Sequence, residues 1–235
     1  MERDAAVALG VDVGGTFTDV VLLVDGTVTT AKVPTTDDQS EGVLDGIEVA
    51  CDRAGIVPGD VDRFRHGTTV AVNALLEGDG AETALVTTRG FADVLEIARQ
   101  DRPALYDLSV TKPDPLVPRE RRYTVDERAT PDGVETPVGP EAVRELAGGI
   151  DAESVAVSLL HAYAHPENEQ RVAEILREEL ECPVSASHEV LATVREYERT
   201  ATTVAEAFVT PVVDAYLDRL VRRASAAGLP EPRVM

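Results

Sequence analysis

The sequence predicts an α/β fold that opens on three consecutive short strands and then alternates helix with strand. Three observations predict it. Apolar runs at 7–13, 17–24 and 27–33 are separated by Gly14-Gly15 and Asp25-Gly26, the chemistry of tight hairpin turns. Residues 40–54 place Val43, Leu44, Ile47 and Ala50 on one helical face, with Gly55 as the stop. Short runs at 63–66 and 84–88 then bracket a helical stretch carrying Val70, Ala74 and Leu75.

The first element carries the densest chemistry. Gly10-Val-Asp-Val-Gly-Gly-Thr-Phe-Thr-Asp-Val-Val21 reads as strand, tight turn, strand. Asp12, Gly14, Gly15, Thr16 and Thr18 gather at the turn. Glycines let backbone N–H groups approach phosphate oxygens, and threonine hydroxyls donate to the same atoms. Asp12 is suited to hold Mg²⁺, directly or through water, because that ion takes oxygen ligands and keeps several waters. No Gly-Lys-Ser/Thr ending and no G-x-G-x-x-G opening a helix is present, which excludes the two commonest nucleotide loops. A hairpin whose glycines serve turn geometry alone is the competing reading. The arrangement resembles the first phosphate loop of the actin-like ATPase and sugar-kinase superfamily.

The next elements follow in order. The strand at 63–66 runs into Gly67-Thr68-Thr69 just ahead of a helix, and 84–88 is the next strand. Three strands, then helix, strand, helix, strand is the order of a ribonuclease-H-like half of an actin-like ATPase. Residues 89–138 differ: six prolines and many charges surround a strand at 121–127, and they read as an inserted segment. Regular patterning returns with a helix at Pro140, a strand at 154–160, a helix from Pro166 and a strand at 183–187. Thr193-Val-Arg-Glu196 fits a capping box. Val204, Phe208, Val212, Tyr216 and Leu220 then recur on one helical face, and Thr210-Pro211 is expected to kink or divide that helix. The expected division is 1–88 as the ribonuclease-H-like core with the phosphate loop, 89–138 as a loop-rich insert, 139–192 as a continuing α/β part, 193–229 as a C-terminal helical segment, and 230–235 as the start of a missing second half.

Composition narrows the class. The chain has 235 residues, 43% hydrophobic but only 4% aromatic, so its core is built from Val, Ala and Leu. No apolar run approaches the roughly 20 residues of a membrane span, and the N-terminus lacks the layout of a signal peptide. The chain reads as cytoplasmic, with Cys51 and Cys182 as reduced thiols. The formal charge is −21, and Lys32 and Lys112 are the only lysines. Such a surface repels nucleic acid and anionic lipid. It resembles the surfaces of salt-adapted proteins.

Four further segments carry a family resemblance: 66–77 (HGTTVAVNALLE), 87–99 (TTRGFADVLEIAR), 121–128 (RRYTVDER) and 195–200 (REYERT). With the phosphate loop they resemble the N-terminal region of the hydantoinase/oxoprolinase family, in the family's order and over nearly the whole chain. That resemblance implies an actin-like ATPase using ATP and Mg²⁺ to activate the carbonyl of a cyclic amide or imide by phosphorylation, for hydrolytic ring opening. It implies Asp12 as the Mg²⁺-facing acid and Gly14, Gly15, Thr16 and Thr18 as the phosphate cradle. It further implies a small cyclic amide substrate and a hydantoinase B-type subunit as partner. Actin-like ATPases close two halves over the nucleotide, and only one acid-Gly-Gly-Thr loop is present here. The chain is therefore expected to be part of a larger enzyme, inactive without a C-terminal half or separate chain. Two alternatives stand beside this: a non-catalytic assembly module of a related carboxylase or hydantoinase complex, and a sugar kinase of related fold.

Other positions keep two readings each. Gly67, Thr68 and Thr69 either meet an anion at a helix N-terminus or cap that helix. His66 is a substrate contact or a core histidine. Arg89, Arg99 and Arg102 recognise a polar substrate or form part of a solvated face. The His161/His165 pair lacks a helix-spaced carboxylate partner and is not read as a metal site.

Overall fold

The computed structural model describes residues 6–36, 38–101, 104–107 and 109–235. In chain order the elements are β1 (Ala8–Val13), β2 (Phe17–Val24), β3 (Thr27–Pro34), α1 (Gln39–Ala54), β4 (Arg63–Thr68), α2 (Val70–Glu77), β5 (Thr83–Thr88), α3 (Val94–Ile97), β6 (Arg122–Val125), β7 (Arg128–Thr130), β8 (Gly133–Thr136), α4 (Pro140–Ala147), β9 (Ser154–Ser158), α5 (Glu167–Glu179), β10 (Val184–Ala186), α6 (Ser187–Val190), α7 (Glu196–Ala226) and β11 (Arg233–Val234). They form two compact units. One comprises the chain up to Glu77 together with Val212–Met235; the other is Gly78–Pro211.

The first unit is a five-stranded sheet in the order β11-β4-β1-β2-β3. The β1–β2 and β2–β3 pairs are antiparallel; β1–β4 and β4–β11 are parallel. Alternation along β1 and β2 sends Leu9, Val11, Val13, Val20 and Leu22 to one face. There they meet Val43, Ile47 and Ala50 of α1 and Tyr216, Leu220 and Ala224 of α7. Gly46 lets α1 come close, since a Cβ at that position would lie 2.8 Å from Val20 Cγ2. Asp38 caps α1 by accepting from the Ser40 N–H, and Arg223 of α7 reaches both Asp38 and Glu41.

This is the ribonuclease-H-like sheet, but its fifth strand is not the one expected. The segment 84–88 falls in the second unit, and β11 takes the place beside β4. Within residues 230–235, which the sequence assigns to the start of a second half, Arg233–Val234 pairs with β4 as an edge strand of the first sheet. The inserted segment is the whole of 78–211, not 89–138. Every residue of β5 is buried, and a strand buried on both faces carries no periodicity that says which sheet it joins.

The second unit is built on an all-parallel sheet, β10-β9-β5-β6. One face packs Val143 of α4 and Val172, Ile175 and Leu176 of α5; the other packs Val204 and Ala207 of α7 with Val117. A buried polar network stiffens it. The Glu169 carboxylate, fully buried, accepts from the Leu159 N–H, the Ser187 hydroxyl, the His188 N–H and His188 Nδ1. The buried Arg199 guanidinium donates to the carbonyls of Leu159 and Thr193.

The α7 helix runs unbroken through Pro211, which corrects the expected division, although the boundary between the units falls at that proline. Thr210 Oγ1 donates back to the Glu206 carbonyl at 2.8 Å, a local side-chain bond of the kind that accompanies irregular helix turns. Both cysteines are free thiols. Among the described residues no helix is long and apolar enough to cross a membrane, and no group of three or more His, Cys, Asp or Glu is arranged to hold a metal ion.

Candidate phosphate-binding turn

The β1–β2 ladder closes on the Val13–Thr18 pair, leaving residues 14–16 as the turn. The Gly14 N–H and the Gly14 and Thr16 carbonyls are already committed. Gly14 N–H donates to Phe17 O at 3.0 Å, Gly14 O accepts from Thr35 Oγ1 at 2.9 Å, and Thr16 O accepts from Thr35 N–H at 2.9 Å. The N–H groups of Gly15 and Thr16 have no partner among the described residues, and both residues are exposed. Adjacent free N–H groups on a glycine turn make an anion-binding concavity. Thr35, not singled out in the sequence, holds this turn open. The Phe17–Pro34 register places it there, but that register is not visible before β3 is paired.

The neighbouring parallel strand supplies the second half of the site. Gly67 lies in register with Asp12. A Cβ at Gly67 would sit 3.0 Å from Asp12 Oδ1, so glycine there keeps space beside the carboxylate. Asp12 is exposed and has no hydrogen-bond or ion-pair partner among the described residues. Thr68 Oγ1 accepts from the Val70 N–H at 3.2 Å, which is the capping reading. Thr69 ties the two strand ends together, its N–H and Oγ1 both donating to Val13 O. Asn73, one turn into α2, donates to Thr69 Oγ1, and its amide nitrogen lies 3.8 Å from where a Gly15 Cβ would be.

Two expected site residues lie elsewhere. Thr18 is fully buried with its hydroxyl 3.4 Å from Thr35 Oγ1; strand alternation turns it under the turn, where it supports the backbone. His66 is also fully buried, with Nε2 2.7 Å from the Tyr216 hydroxyl, and this is the core-histidine reading. Burial, against a weaker opposing effect of Asp12, pushes its pKa down to about 4. A depressed histidine pKa removes stability as pH falls from its ordinary value toward the folded one. The His66 ring protons are expected to titrate near pH 4 by NMR; a midpoint at or above about 6.5, the ordinary histidine value, would contradict the buried neutral ring.

The remaining candidates belong to the other unit. Arg89 forms a two-point pair with Asp126, and Arg99 pairs with Glu198. Both are exposed, and their charges are answered by carboxylates. Arg102 lies outside the described residues.

The family model for the hydantoinase/oxoprolinase N-terminal region matches residues 8–180. This chain belongs to the hydantoinase/oxoprolinase family. It is 38% identical to the acetophenone carboxylase gamma subunit of Aromatoleum aromaticum, covering 92% of this chain and 32% of that protein. It is 34% identical to the caprolactamase subunit alpha of Pseudomonas jessenii, covering 95% and 34%. Two solved structures superpose closely: a nucleotide-free acetone carboxylase, TM-score 0.84 at 27% identity, and the ATP-dependent caprolactamase of Pseudomonas jessenii, TM-score 0.83 at 32% identity. Each is covered over 97% of this chain and about a third of its own length. The chain thus spans about a third of the length of these relatives.

Proposed function

We propose that this chain is the nucleotide-binding N-terminal part of an ATP-dependent enzyme that activates the carbonyl of a cyclic amide or imide for hydrolytic ring opening. The observation that carries this reading is the turn itself. Two free N–H groups at Gly15 and Thr16 stand beside an unpaired carboxylate at Asp12, and Gly67 leaves room at its side. Two structural relatives are named for ATP-dependent reactions, and the caprolactamase supports the amide class.

The site fits a magnesium nucleotide by its donor set. Asp12 is the hard oxygen ligand that Mg²⁺ requires, and the ion would neutralise phosphate charge. Gly15 and Thr16 would donate N–H bonds to phosphate oxygens, with Gly67 giving the phosphates access. In the reaction the amide oxygen bonds to the γ-phosphorus of ATP and ADP leaves. Water would then add to the activated carbon, the carbon–nitrogen bond of the tetrahedral adduct would break to free the amine and leave an acyl phosphate, and a second water would release phosphate and give the carboxylate. The contribution of this chain is positioning and charge neutralisation. The 38% identity to a carboxylase subunit favours a second reading, in which the same activation serves carbon–carbon bond formation.

The test is an amide-resolved NMR titration of the chain with Mg-ATP. Gly14, Gly15, Thr16, Gly67 and Thr68 are expected to shift first. Shifts confined to other segments, with these five still, would refute the site.

A further inference from the structure

The first sheet has one packed face and one open face. Val11, Val20 and Leu22 point into the core with α1 and α7. The residues that alternate with them do not: Val21 is 45% exposed, Leu23 40%, and Val28, which pairs with Leu23, 60%. Across β1 from this apolar edge stand Arg63 and Arg65 of β4, and Arg233 of β11 lies in register with Arg65. Between the two edges β1 contributes only Ala8 and Gly10. A trough of about 260 Å³ runs over these two residues, and a cavity of about 640 Å³ shares Arg63 and Arg65 with it and reaches Arg233.

The positive charge on this face is unanswered. None of Arg63, Arg65 and Arg233 has an ion-pair partner among the described residues. The carboxylates that line the same cavity do not supply one. Asp62 Oδ2 accepts from the Val7 N–H at 2.7 Å, and Glu231 has no ion pair among the described residues. In a chain of net charge −21, three unpaired guanidinium groups gathered on one face select an acidic occupant.

The spacing selects a helix. Two residues along a strand span about 6.6 Å, and positions i and i+4 of a helix are about 6 Å apart along its axis. Acids at that interval therefore match Arg63 and Arg65, and apolar residues match Val21 and Leu23. The two edges are separated by two strand spacings, roughly 10 Å, which is the width of one helix. The small side chains at Ala8 and Gly10 give the floor on which it rests. A second copy of this chain, itself at −21, is repelled as a whole. A helix joined to the same assembly has the effective concentration to overcome that repulsion.

We propose that this face is the docking surface for one amphipathic helix, apolar along one edge and acidic along the other, contributed by the part of the larger protein outside these 235 residues. The proposal goes beyond the nucleotide reading. It rests only on the chain being part of a larger protein, as its coverage of about a third of its relatives supports.

Two synthetic peptides of about 18 residues, long enough to hold helix, test the surface by amide-resolved NMR on the isolated chain. Both carry leucines along one edge; one carries glutamates at i, i+4 spacing beside them and the other lysines. The glutamate peptide should shift Ala8, Gly10, Val21 and Arg65, and the lysine peptide should bind at least tenfold more weakly. Arg63→Glu with Arg65→Glu, both at exposed positions, should reverse that preference without lowering the melting temperature. Equal binding of the two peptides, or no shift at this face with either, overturns the proposal. So does a dimer of the isolated chain, seen by light scattering and dissolved by the same double variant, since the occupant is then a second copy. The source is tested by thiol labelling of Val21→Cys, which should be at least tenfold slower in the complete protein than in the isolated chain; equal rates overturn the assignment of the helix to the larger protein. That underlying reading fails separately, if the native polypeptide purifies at the mass of these 235 residues alone. Mg-ATP shifts at the turn, read on the same samples, bear on the nucleotide site and leave every one of these outcomes unchanged.

Discussion

Asp12→Ala is expected to lower ATP turnover of the complete enzyme at least about 100-fold, equivalent to roughly 3 kcal/mol of transition-state stabilisation. The carboxylate is exposed, unpaired among the described residues, and set beside a glycine that a methyl group would crowd. Nothing in the first unit's core depends on it, so the melting temperature should stay within a few degrees. Its loss would remove the hard oxygen ligand for Mg²⁺ and leave phosphate charge to the two free N–H groups of Gly15 and Thr16. Steady-state ADP release, measured beside a thermal melt, decides the matter. Unchanged turnover with an intact fold would end the assignment of Asp12.

The second large effect concerns folding of the inserted unit. Glu169→Gln is expected to destabilise it by about 3 kcal/mol or more, the scale found when one partner of a buried charged pair is removed. The carboxylate is fully buried and receives four different donor groups. A carboxamide turns one of its two oxygens into a donor, so at least one of those groups loses its acceptor. The substitution also acts on pH dependence. The hydrogen bond that His188 Nδ1 donates to the Glu169 carboxylate raises the His188 pKa above its ordinary 6.5, against the opposing effect of burial. A raised histidine pKa contributes stability that is complete below the unfolded value and is lost as pH rises through the folded one. Melts of the native chain should therefore lose stability on the alkaline side of that window, and the variant should show little of this slope. A variant that melts like the native chain at every pH would show that the network contributes nothing.

The parts of the molecule written locally were legible in the sequence. The turn at Gly14-Gly15, the hairpin at Asp25-Gly26, the Gly55 stop of α1 and the Pro140 start of α4 follow from residue chemistry at fixed offsets, and each lies where the sequence puts it. What depended on pairing at a distance was not. The fully buried β5 could have joined either sheet. The short β11 shows no pattern of its own and is defined only by lying against β4. The same limit applied at the site. Asp12, Gly15 and Thr16 were visible as chemistry, while the burial of Thr18 and His66 came from strand alternation and from Tyr216, which is remote in the chain. Thr35 and Glu169 act through partners that only the folded chain brings near.

The placement of β11 has a consequence for how the polypeptide is made. Synthesis on the ribosome delivers β1 to β4 first, then the whole inserted unit as one uninterrupted stretch, and only afterwards the strand that lies against β4. Pairing between Arg65 and Arg233 must close a loop containing an entire folded body, and contacts of such sequence separation form slowly. The inserted unit needs nothing from beyond Pro211 to assemble its own sheet, so it can mature while the first sheet still has a bare edge along β4. Nascent chains paused before residue 233 would keep that edge unpaired, and an unpaired edge is where strands from other chains attach.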